Sequence, residues 1–116
     1  MPNLLFFILV YHIKQLKTIS ESFKALNTIN KILEGFSNTD SIGKGKLEKI
    51  LKDATRGFST KALENAISKV SNPNLNESVI RGMLADRYKG KDNELNDVVA
   101  GLTGNVSKNT VIIDTN

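Results

Sequence analysis

The chain contains no cysteine. Disulfides, thiolate metal sites and cysteine nucleophiles are therefore excluded. It carries one histidine, His12, which excludes zinc sites built on several imidazoles. Tryptophan is absent and aromatic residues make up only 6% of the chain. No Ser/His/Asp order and no paired-carboxylate spacing stands out. The acidic trio Asp92, Glu94 and Asp97 suits a helix start better than a metal. The expectation is a non-enzymatic protein with no catalytic residue, no metal and no cofactor. Only two prolines occur in 116 residues, and no Pro-, Gly- or Ser-rich stretch divides them. The chain therefore reads as one domain, with an apolar segment at 1–12, a helical body at 13–104 and an acidic, β-branched tail at 105–116. Hydrophobic residues at 40% and charged residues at 24% are globular proportions.

A long hydrophobic run is missing too. The longest is Leu4–Val10 (LLFFILV), followed by Tyr11, His12 and Ile13. A helical membrane span needs about 20 apolar residues, so this run is too short to be one. No Lys or Arg precedes it and no Ala-x-Ala pattern comes after it, which argues against a cleavable leader and for the cytoplasm. Three readings of the run remain. It is a buried core strand or helix, or it is a partner interface made by Leu4, Leu5, Phe6, Phe7, Ile8, Leu9 and Val10. In the third reading it dips into a membrane interface with Lys14 and Lys17 at the headgroups. An element apolar on all sides must be covered on all sides, which a small domain rarely manages alone. That raises the interface reading, with either a protein partner or self-association.

From Ile13 the spacing turns helical. Ile13, Leu16, Ile19, Phe23, Leu26, Ile29, Ile32 and Leu33 recur every three or four residues and read as one stripe facing a core. Lys17, Lys24 and Lys31 fall on another face, where Glu21 can pair with Lys17 and Lys24. The tripeptide Gly-Phe-Ser occurs at Gly35–Ser37 and Gly57–Ser59. Each copy reads as a left-handed glycine ending one helix and a serine capping the next. Further helices are expected over Lys46–Thr55 and Thr60–Val70. Another should run from Asn72-Pro73 to about Tyr88, and a last one from Asp92 or Asn93 to Gly104. Gly82 reads as a site of close helix packing. The fold class is thus all-α, a compact bundle of about five helices. The tail Thr110–Asp114 could form a small two-stranded pairing with Leu4–Tyr11.

Charge is unevenly distributed. Sixteen Lys and Arg against 12 Asp and Glu give a net charge of +4. Residues 1–91 hold a surplus of +7, and residues 92–116 hold −3. Such a body attracts polyanions. Thirteen of the basic residues are lysines, which favours contact with a phosphate backbone over base reading.

The segment Ser41-Ile42-Gly43-Lys44-Gly45-Lys46-Leu47-Glu48-Lys49-Ile50-Leu51 resembles the hairpin and second helix of the helix-hairpin-helix motif, G-[IV]-G-x-x-x-A-x-x-[IL]. Ile42 and Gly43 match the central pair, and Ile50 and Leu51 match the packing positions. Ser41 stands in place of the first Gly and Leu47 in place of the small Ala. The resemblance implies backbone amides and a helix start that meet a phosphate without reading sequence. Its candidate nucleic-acid-binding residues are Ile42, Gly43, Lys44, Gly45, Lys46, Lys49 and Lys52. The segment fails as a Walker loop, having no Gly five residues before Gly43-Lys44 and no Ser or Thr after it. It fails as a calcium loop because Ile42, Lys44 and Leu51 would occupy ligand positions. A second candidate is a helix-turn-helix over Ser59–Tyr88, with Ser78, Arg81 and Arg87 on its second helix. Two functions are expected as alternatives: a module that binds nucleic-acid phosphates, or an interaction or structural subunit docking through its apolar N-terminal segment and long amphipathic helix.

Overall fold

The computed structural model describes residues 2–36 and 44–110, with side chains over 16–36 and 45–104. Five helices make up an all-α fold: α1 (Pro2–Glu34), α2 (Lys44–Ala54), α3 (Thr60–Ile67), α4 (Glu77–Leu84) and α5 (Asp92–Thr110). A 3-10 turn, Ala85–Tyr88, continues α4. No strand occurs among the described residues. The Leu4–Tyr11 run belongs to α1, and residues 111–116, the other half of the expected terminal pairing, lie outside the described residues.

Local chemistry explains the boundaries. Pro2 occupies the first helical position of α1, where a missing N–H costs nothing, and no Pro or Gly occurs again until Gly35. Ser59 caps α3, its Oγ accepting from the Ala62 N–H at 3.2 Å. Phe58, the residue before the cap, packs against the core. Asn76 caps α4 by accepting from the Val79 N–H at 3.0 Å. The expected start at Asn72-Pro73 is thus four residues early. The Asn72 side chain accepts from the Asn74 N–H at 2.9 Å and shapes a turn before the helix. Asp92 and Glu94 lie in the first turn of α5 and complement its dipole. Neither Gly35 nor Gly57 is left-handed. Gly90, at φ +77°, is the one positive-φ residue among those described, and it separates the 3-10 turn from α5. Gly104 does not stop α5, which runs on to Thr110.

The core collects side chains from all five helices, with Ile29, Leu51, Ile67, Ile80 and Val99 fully buried. α4 lies between α2 and α5, while α1 packs chiefly on α3 and also on α2. Gly82 of α4 faces the flexible Glu48 side chain of α2, which occupies the space a Cβ there would take. A 33-residue helix is about 50 Å long. The molecule measures 61 × 38 × 27 Å and its radius of gyration is 16.5 Å. A compact chain of this length would have a radius of gyration of about 13 Å. The bundle is therefore drawn out along α1.

Candidate functional site

The face α1 turns to α3 differs from the expected stripe. Ser22, Ala25, Ile29 and Leu33 are its buried residues, spaced three and four apart. The upper half of this row is made of small side chains, which let α3 approach. The Ser22 Oγ–H meets its own need by donating to the Thr18 carbonyl at 2.8 Å. The large residues of the expected stripe divide. Ile29 and Leu33 are core, and Leu26 and Ile32 are half-buried. Leu16, Ile19 and Phe23 are 64%, 50% and 54% exposed. The expectation that all of them face the core is corrected here, because smaller neighbours occupy the face against α3.

These three residues form a row beside a groove between α1 and α3. Its volume is about 270 Å³, and its walls are Ile19, Ser22, Phe23 and Leu26 on one side and Asn65, Ser68 and Lys69 on the other. The Lys69 ammonium sits 5.4 Å from the centre of the Phe23 ring, a cation–π contact that steadies both. The groove is fixed from below. The Glu21 carboxylate accepts from the Ser59 N–H at 2.8 Å and the Ser59 Oγ–H at 3.1 Å, joining α1 to the start of α3. Glu21 thus serves the cap of α3 rather than acting only as a partner for lysines on its own helix.

The lysine candidates separate as well. Ile42 and Gly43 lie outside the described residues. Lys44 is the first residue of α2, and its side chain is not among those described. Gly45, Lys46 and Lys49 are exposed, with open space around Gly45. Lys52 is engaged by Asp86 at 2.9 Å. The Lys52 hydrogen bond holds the Asp86 carboxyl below the usual carboxylate range. Leu51 is buried as the resemblance implies, whereas Ile50 is 36% exposed. Other lysines are spread over the molecule: Lys17, Lys24 and Lys31 on α1, Lys61 on α3, and Lys69, Lys89 and Lys91 in turns, all exposed. The exposed lysines thus lie on several elements rather than at the start of α2 alone.

The arginines of the second candidate are used inside the fold. The Arg87 guanidinium donates to the carbonyls of Thr55 at 2.9 Å, Arg56 at 3.4 Å and Phe58 at 2.7 Å, and to the Thr60 Oγ1 at 3.3 Å. It therefore closes the C-terminal end of α2 and holds the α2–α3 turn. Arg81 donates to the Asn96 Oδ1 at 2.7 Å across α4 and α5. The Tyr88 hydroxyl donates to the Glu64 carboxylate, which raises the phenol to about 12. Ser78 is exposed at the start of α4.

The side chains of Leu4–Val10 are not among those described, although their backbone is helical. No described helix is long and apolar enough to cross a membrane. Among the described residues no group of three or more His, Asp or Glu is placed to hold a metal ion. No known protein family matches the chain, and neither do the curated proteins or the solved structures. What the sequence reading missed is the Ser22–Ala25 face. Its signal was present as small residues at helical spacing, but a search for large apolar residues passes over them.

Proposed function

We propose that this protein is a non-enzymatic interaction module that docks through α1. One observation carries the reading: Leu16, Ile19 and Phe23 stand in a row, each at least half exposed, beside an open groove. Apolar area left in water on a rigid helix is a standing source of binding free energy, at about 25 cal/mol per Å² removed. The helix needs no rearrangement to present it, so little ordering entropy is lost on docking. Capture on the immobilised full chain tests the reading. Partners held by the native protein should be lost with Phe23→Glu. A capture pattern indifferent to that substitution overturns it.

A second reading belongs to a different class: contact with a nucleic-acid phosphate backbone at the start of α2. The exposure of Lys46 and Lys49 beside the open Gly45 favours it. The spread of the other lysines and the use of Lys52 by Asp86 weigh against it. Binding to duplex and single-stranded DNA at two salt concentrations decides. Phosphate contact predicts affinity that falls steeply with salt, and no binding at low salt discards the reading.

A further inference from the structure

No further inference is drawn: the strongest candidate, the exposed row of Leu16, Ile19 and Phe23 on α1 beside the α1–α3 groove, carries nothing beyond the docking reading, because nothing in the described structure shows what covers it.

Discussion

The exposed row of α1 and the junction around the 3-10 turn reverse what their residue types suggest. At the junction the charged groups that a sequence offers to partners are consumed by the fold: Arg87 holds four acceptors and Lys52 holds Asp86. On α1 the large apolar groups that a sequence assigns to the core stand in water. The difference shows that availability is decided by what lies opposite a residue, not by its polarity. At the junction the carbonyls after α2 point toward α4's 3-10 turn, and one guanidinium there reaches three of them, adding to the Phe58 N–H that already meets Thr55. On α1 the face against α3 was already taken by Ser22 and Ala25, so the larger residues beside them had nowhere to bury.

The sharpest way to break this comparison is within α1 itself. Ile29 is fully buried and Ile19 is half exposed on the same helix. Ile29→Ala should cost about 3 kcal/mol in chemical denaturation of the monomeric protein. Ile19→Ala should stay within about 0.5 kcal/mol. Equal costs would mean that the row is not free in solution. The small face gives the next effect. Ala25 is fully buried against α3, and Ala25→Leu should cost about 2 kcal/mol by forcing the helices apart. A neutral or stabilising outcome there would show spare room between α1 and α3.

Arg87 sharpens the other side of the contrast. Arg87→Ala should destabilise by about 2 kcal/mol, because it takes the guanidinium from the Phe58 carbonyl and leaves the Thr55 carbonyl with the Phe58 N–H alone. Arg87→Lys should recover only part of the loss, since one ammonium cannot span the spread of acceptors that the fork reaches. Full recovery by lysine would mean that charge alone, and not geometry, holds the turn.

The sequence showed most of the helices and little of their relations. Helix starts were legible where a side chain caps its own helix, as at Ser59. The start of α4 was misplaced because Asn72 and Asn76 both carry capping chemistry and only packing selects between them. The glycines of the two Gly-Phe-Ser copies looked alike to Gly90, yet only Gly90 takes positive φ. Nothing local marks that difference. At the candidate sites, Lys46 and Lys49 were legible as exposed charges. The commitment of Lys52 was not, because Asp86 lies 34 residues away in the sequence. The exposed row was legible as apolar spacing but was assigned to the wrong side, because Ser22 and Ala25 carry too little hydrophobicity to register. Long-range pairing and small-residue packing are properties of the assembled bundle, and a one-dimensional pattern records neither.

The smallest effect concerns Tyr88. Its hydroxyl donates to the Glu64 carboxylate, and ionising it would place two negative charges together while losing the donated proton. The folded phenol is accordingly raised to about 12 from an ordinary value of 10.0. A raised phenol means that the folded state binds the proton more tightly than the unfolded chain does. The linked stability is complete below about pH 10 and declines as pH climbs toward about 12. Tyr88→Phe removes the titrating group, so its unfolding midpoint should lose the part of the alkaline decline that belongs to this proton. Glu64→Gln keeps an acceptor but removes the charge, and should bring the phenol back toward its ordinary value. The phenolate absorbance, followed spectrophotometrically across about pH 9 to 12.5, reads that shift directly. If the native and Glu64→Gln proteins titrate alike, the carboxylate does not hold the phenol, and the tie between α3 and the 3-10 turn rests on Arg87 alone.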